Sequence, residues 1–269
     1  MFTWIRKLGA GGGGELWLAK LNSTGARVVV KLLHENANTV MRRGFAREAR
    51  ILGRRIPGVM GVIMAQPEAP RPFYVMHYLP NGSLHEHAGR LSRAQLRVIA
   101  ADVAATLGRL HQLAIAHGDI KPANLLLDAN GRAVVADPIG SGWGCTVLFA
   151  EDRGGTPGYW APEILRGMAI STATDAYSFG ASMYHLATGI VPQDRIPVNI
   201  NHPKLLAAPE IREVVWACCQ SNPNLRPSMA DISLLLNGDR WHAVLARRAR
   251  ARNWAFAGGA LALLFLFGK

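Results

Sequence analysis

The chain has 269 residues, 18% of them charged and 49% hydrophobic, with a formal net charge of +12. That length holds one large domain or two lobes with real cores, and the balance excludes a disordered chain. Three cysteines, Cys145, Cys218 and Cys219, cannot all pair and show no C-x-x-C metal spacing, so a reducing, cytoplasmic setting is expected rather than a disulfide framework.

Ile5 to Lys20 reads as strand, glycine loop and strand. The loop Gly9-Ala10-Gly11-Gly12-Gly13-Gly14-Glu15-Leu16 fits G-x-G-x-x-G followed by an apolar residue. Its glycines allow backbone N–H groups to approach phosphates closely, although such a run also suits a flexible hairpin turn. Ala26 to Leu33 is a β-branched strand closing on Lys31, and a lysine there either snorkels outward or meets an anion. Phe45 to Leu52 reads as a helix with Phe45, Ala49 and Leu52 on one face and Glu48 beside it, on an arginine-rich segment. Two strands follow, near Val59–Met64 and Phe73–Met76, and Pro80-Asn81-Gly82-Ser83 is a turn. Leu91 to Leu113 predicts a long amphipathic helix opened by Ser92 as N-cap, with Leu96, Ile99, Ala100, Val103, Leu107 and Leu110 as its buried stripe.

That helix leads into His117-Gly118-Asp119-Ile120-Lys121-Pro122-Ala123-Asn124-Leu125-Leu126-Leu127, followed by Val134-Val135-Ala136-Asp137. Two carboxylates, a lysine and a carboxamide sit in a short stretch between apolar runs. Phosphoryl transfer needs such a set: Asp119 as the base, Asn124 and Asp137 as metal ligands, Lys121 as the cation over the moving phosphate. The spacing D-x-K-x-x-N, then a further Asp beyond an apolar run, is far more specific than any one of these residues. Three more motifs follow: Gly155-Thr156-Pro157-Gly158-Tyr159-Trp160-Ala161-Pro162-Glu163, Asp175-Ala176-Tyr177-Ser178-Phe179-Gly180, and Asn222-Pro223-Asn224-Leu225-Arg226-Pro227-Ser228.

In this order the motifs resemble those of the eukaryotic-like serine/threonine protein kinases in their bacterial form, over residues 3–237. The resemblance implies an α+β, bilobal protein-kinase fold, with a small β-rich N-lobe over about 3–76 and a larger helical C-lobe over about 81–237. It implies ATP and Mg²⁺ (or Mn²⁺) as cofactors and proteins with Ser/Thr acceptors as substrates. Gly9, Gly11, Gly14 and Lys31 would hold the phosphates, with Glu48 pairing Lys31. Leu16 and Val29 would lie above the adenine and Leu126 below it. Met76 would stand at the gatekeeper position, with His77 and Tyr78 in the hinge, although Tyr78 equally suits a core. His117 would be a buried structural histidine. Asp175 would anchor the catalytic-loop backbone, and Arg226 would pair with a buried Glu163.

Several positions depart from the family pattern. Gly118 stands where an arginine is usual, so no arginine beside Asp119 grips a phosphorylated loop. Phosphorylation at Ser141 or Thr146 is therefore not expected to be an obligatory switch. Asp137-Pro138-Ile139 replaces D-F-G: the metal-binding Asp is kept, while Pro138 fixes φ and removes a donor. Ala123 stands where kinases preferring basic peptides often carry a glutamate. A pseudokinase, binding nucleotide or acting as a scaffold, is the alternative reading. Retention of Lys31, Glu48, Asp119, Lys121, Asn124 and Asp137 weighs against it.

The tail differs in composition. Residues 238–269 hold six Lys or Arg against one Asp. No nucleic-acid module or aromatic–basic interleaving accompanies them, so nucleic acid is not expected as a partner. Residues 238–253 read as a basic linker. Residues 254–268 carry no charge and read as a C-terminal hydrophobic helix. At about 22 Å this helix is short of the roughly 30 Å hydrocarbon core, and docking on the domain is the alternative. The arginines before it fit the positive-inside rule, so a single-pass membrane anchor with the kinase domain in the cytoplasm is expected.

Overall fold

Five strands near the N-terminus form one antiparallel sheet. The computed structural model describes residues 1–11, 13–138, 158–194 and 196–237. The strands β1 (Phe2–Gly11), β2 (Gly14–Leu21), β3 (Arg27–Leu32), β4 (Val62–Gln66) and β5 (Phe73–His77) lie in the order β1-β2-β3-β5-β4. Side chains alternate across a strand, so Val28 and Val30 face one way and Val29 and Lys31 the other. Register extends this division across the sheet: Val29 lies opposite Leu18 and Met76, and Lys31 opposite Leu16 and Tyr74. One face packs Ala19, Val28, Val30 and Val75 together. The other carries Lys31, Tyr74 and Met76, all buried.

The helix α1 (Thr39–Leu52) starts six residues before the expected Phe45, because Asn38 caps it by accepting the Met41 N–H at 3.0 Å. It buries Phe45, Glu48, Ala49, Ile51 and Leu52, and the Phe45 ring lies 5.0 Å from that of Tyr74. The strand expected at Val59–Met64 lies instead at Val62–Gln66. The segment before it has another partner: Val135 donates its N–H to the Gly58 carbonyl and accepts from Met60 N–H, both at 2.8 Å. These bonds tie the small lobe to the large one.

The large lobe is helical. The long helix α2 (Arg93–Gln112) begins in a Ser92–Gln95 capping box and buries the whole expected stripe from Leu96 to Leu110. A short hairpin of β6 (Leu125–Leu127) and β7 (Ala133–Val135) follows the loop 117–124. Helix α3 (Thr172–Thr188) is buried from Thr174 to Thr188, the mark of a helix running through a core rather than along it. Gly180 permits its packing, since a Cβ there would stand 2.6 Å from that of Cys218. Helices α4 (Pro203–Leu206), α5 (Pro209–Cys218) and α6 (Met229–Leu236) complete the lobe. Cys218 and Cys219 carry free thiols.

The architecture is therefore α+β, a β-rich lobe on a helical one. Among the described residues no helix is long and apolar enough to cross a membrane. The basic linker 238–253, the hydrophobic segment 254–268, Ile139, Ser141, Thr146 and Thr156 lie outside the described residues.

Candidate active site

Strand β3 delivers Lys31 to the face of the sheet that looks onto α1. Lys31 Nζ lies 2.7 Å from Glu48 Oε1 and 3.2 Å from Asp137 Oδ1, and 5.6 Å from the centre of the Tyr74 ring. Burial alone would lower the Lys31 ammonium, but Asp137 and Glu48 outweigh it and hold its pKa above the ordinary value. Burial pushes the Glu48 carboxyl up to about 7, against the pull of Lys31. Lys31 and the Tyr74 hydroxyl both donate to Oε1, the latter at 2.8 Å, and two donors on one oxygen fit the ionised carboxylate. Tyr74 has no motif to announce it. Its one signal in sequence is a polar-tipped side chain on the inward face of a buried strand.

A second cluster forms at the loop after α2. Lys121 Nζ lies 2.8 Å from Asp119 Oδ2. Asn124 Nδ2 donates to Asp119 Oδ2 and to the Asp119 carbonyl, each at 2.8 Å. Pro122 opens the single turn Pro122–Asn124 that brings Asn124 back onto Asp119. Backbone bonding joins the two clusters, because Ala136 N–H donates to the Asn124 carbonyl at 2.9 Å, one residue before Asp137.

The loop is held from beneath. Asp175, near the start of α3, accepts the N–H groups of His117 and Gly118 at 2.7 and 2.8 Å and the His111 imidazole at 2.9 Å. His117 is fully buried. The Asp119 N–H can only donate, so His117 Nδ1 accepts it at 3.2 Å; the proton then sits on Nε2, which donates to the Ala136 carbonyl at 2.9 Å. Burial lowers the His117 pKa, in keeping with this neutral tautomer. One imidazole thus spans from the residue Asp119 to the neighbour of Asp137. Further out, Arg226 holds Glu163 through two bonds of 2.5 and 2.8 Å in a buried pair and also donates to the carbonyls of Ala173 and Gln220.

The apolar candidates share one core. Met76 is buried, and Leu16, Val29 and Leu126 pack half-buried against the same core. His77 is exposed and Tyr78 half-buried at the end of β5. Of the loop glycines, Gly9 and Gly11 face open space, whereas Gly14 sits at φ 127° against the Leu32 carbonyl. Two neighbours escaped sequence reasoning. A Cβ on Gly13 would lie 3.2 Å from Lys31 Nζ, and His34 Nε2 bonds the Gly11 carbonyl at 2.7 Å.

Among the described residues no three His, Cys, Asp or Glu side chains gather as a metal site. The two clusters instead offer the Asn124 amide oxygen, left over once Nδ2 is committed to Asp119, and the Asp137 carboxylate. Such a sparse oxygen set fits Mg²⁺, which keeps waters and shares phosphate oxygens rather than filling an all-protein cage. Asp137 itself adopts φ 55°, a left-handed conformation that non-glycine residues seldom occupy, directly before Pro138.

Residues 2–234 match the family model described as protein kinase domain. Over 258 residues the chain is 35% identical to "Probable serine/threonine-protein kinase PkwA" of Thermomonospora curvata, covering 88% of this chain and 34% of that protein. It is 31% identical to the serine/threonine-protein kinase AfsK of Streptomyces coelicolor, covering 87% of this chain and 31% of the relative. It is 33% identical to the DNA damage-responsive serine/threonine-protein kinase RqkA of Deinococcus radiodurans, covering 69% and 29%. The chain thus spans about a third of the length of these relatives.

Proposed function

This chain belongs to the protein kinase family, in its bacterial serine/threonine form, and from that premise we propose that it transfers the γ-phosphate of ATP to serine or threonine hydroxyls of proteins. The observation that carries the reading is the meeting of Lys31, Glu48 and Asp137 beside the cluster of Asp119, Lys121 and Asn124. Lys31, kept charged by its two carboxylates, would bind the α and β phosphates. Gly9 and Gly11 leave room above them, and Gly14 shapes the turn. Leu16, Val29, Met76 and Leu126 would enclose the adenine, with the backbone of His77 and Tyr78 alongside.

Asn124 and Asp137 would hold Mg²⁺ (or Mn²⁺), which when bound supplies positive charge against the phosphate oxygens. Asp119 Oδ2 would accept the hydroxyl proton of the substrate. Lys121, 2.8 Å away, would stabilise charge on the transferred group, and Asn124 fixes the Asp119 rotamer. His117 and Asp175 keep this loop in place.

The test is phosphate incorporation into the full chain and a generic protein substrate, read by intact mass with ATP and Mg²⁺ or Mn²⁺, beside Asp119→Ala. Phosphate with the wild type alone supports the reading. No phosphate on either, with ATP still raising the melting temperature, would replace it with a nucleotide-binding pseudokinase.

We also infer that residues 254–268 anchor the chain in a membrane, with Arg247, Arg248, Arg250 and Arg252 on the cytoplasmic side. Flotation of the full chain with neutral lipid vesicles, resistant to high salt and lost on deleting 254–268, is the expected result. Failure to float would overturn the anchor.

A further inference from the structure

Helix α1 presents a row of arginines away from the core. Arg43, Arg47 and Arg50 fall at i, i+4 and i+7, and Arg54 continues the row just past the Gly53 cap. At 100° per residue the three within the helix lie within about a 60° arc, opposite the buried Phe45, Ala49 and Leu52, and Arg54 follows in the turn after it. Arg43, Arg50 and Arg54 are exposed. None of these three forms an ion pair with a described residue. Arg47 has a partner of its own and does not enter the argument. Arg42 lies off the row and donates to the Pro70 carbonyl. The one carboxylate on α1, Glu48, is buried against Lys31. Arg43, Arg50 and Arg54 therefore have no acid on the helix to balance them.

We propose that this face docks on an anionic lipid bilayer. The inference goes beyond the kinase reading and rests in part on the membrane anchor proposed for residues 254–268. The chain's own charge points to lipid as the occupant. The segment before the anchor is basic as well, so chain and stripe share one electrostatic preference. Residues 238–253, about 50 Å when extended, are long enough to let the kinase domain turn α1 towards the surface. Each arginine near an acidic leaflet strengthens binding about fivefold, and a planar surface engages neighbouring arginines together. The stripe and Glu48 ride on one helix, so seating the stripe also steadies the side chain that holds Lys31.

The experiment compares hydrogen exchange of residues 43–54 in the full chain on neutral phosphatidylcholine vesicles and on vesicles with a third phosphatidylserine. About tenfold slower exchange on the anionic vesicles, reversed by about 0.5 M salt, where the Debye length is about 4 Å, and absent in Arg43→Gln/Arg50→Gln/Arg54→Gln, supports the docking. Gln is a good helix former, so the variant keeps α1, and its unchanged melting temperature verifies this. Equal exchange on both vesicles while the chain floats would overturn the docking and leave the anchor standing. Protection on anionic vesicles without flotation on neutral ones would overturn the anchor and support the stripe. Protection by a polyglutamate peptide but not by anionic vesicles would also overturn the proposal, in favour of an acidic protein partner.

Discussion

Lys31 Nζ sits 2.7 Å from Glu48 Oε1, a pair joining β3 to α1 in the interior of the small lobe. Each partner alone would be an expensive buried charge, and together they make the helix position part of the site. Lys31→Met should lower phosphoryl transfer at least a hundredfold, a loss comparable to removing one preorganised charge-stabilising donor. The fold should survive, because the Glu48 carboxyl, already pushed up to about 7 by burial, takes up a proton once Lys31 is gone. Activity assays beside thermal melts check this. Activity within threefold of wild type would remove Lys31 from the machinery.

Arg226 and Glu163 make the opposite case, a buried pair whose role is architectural. Arg226 meets both Glu163 oxygens and the carbonyls of Ala173, Gln220 and Ser221, and its guanidinium lies 5.1 Å from the Tyr177 ring centre. Arg226→Met should cost about 3–5 kcal/mol in urea unfolding, since Glu163 is left buried without a cation. Arg226→Lys should recover little of it, for an ammonium cannot reproduce the planar fork. The double variant with Glu163→Gln should be less destabilised than the sum of the singles. Additivity would show that the pair is not coupled.

The glycine loop separates two reasons for glycine. A Cβ at Gly14 would stand 2.2 Å from the Leu32 carbonyl at φ 127°, so Gly14→Ala should destabilise the chain by about 1–3 kcal/mol. Gly11 meets nothing within 4 Å, so Gly11→Ala should leave the melting temperature unchanged. Its effect, if the loop covers phosphates, should appear in KM for ATP. Equal melting temperatures for the two variants would contradict the geometry.

Sequence made some of these relationships legible and hid others. The α2 stripe was readable because burial on one face of a helix repeats every three or four residues. Lys31 with Glu48, and Arg226 with Glu163, were readable because motif order and spacing pair residues far apart. Tyr74 on Glu48 and His34 on Gly11 were not, because one hydrogen bond between distant segments leaves no periodic trace. The strand register near Val59 was misplaced for a related reason. An apolar run fits a strand, but the run alone does not say that Gly58 to Met60 will bond Val135 instead. The start of α1 was hidden behind Asn38, whose capping role depends on the turn it closes.

His117 gives the site a dependence on acidity that its surface does not suggest. Burial lowers its pKa from the ordinary 6.5, and its Nδ1 is occupied in accepting the Asp119 N–H. The unfolded chain therefore binds a proton near pH 6.5 that the folded chain refuses until lower pH. In that interval stability rises with pH, so its contribution is complete above 6.5 and is lost as pH falls below that value. The share of His117 in the slope is at most about 1.4 kcal/mol per pH unit, and it opposes that of Glu48, whose carboxyl, raised to about 7, makes the folded chain the one that binds the extra proton in this range. His117→Gln, which can still accept at one atom and donate at the other, should remove the His117 share. Urea unfolding of both proteins between about pH 5 and 7, where histidine titrates, measures the difference. Parallel pH profiles would mean that His117 does not carry the acid sensitivity.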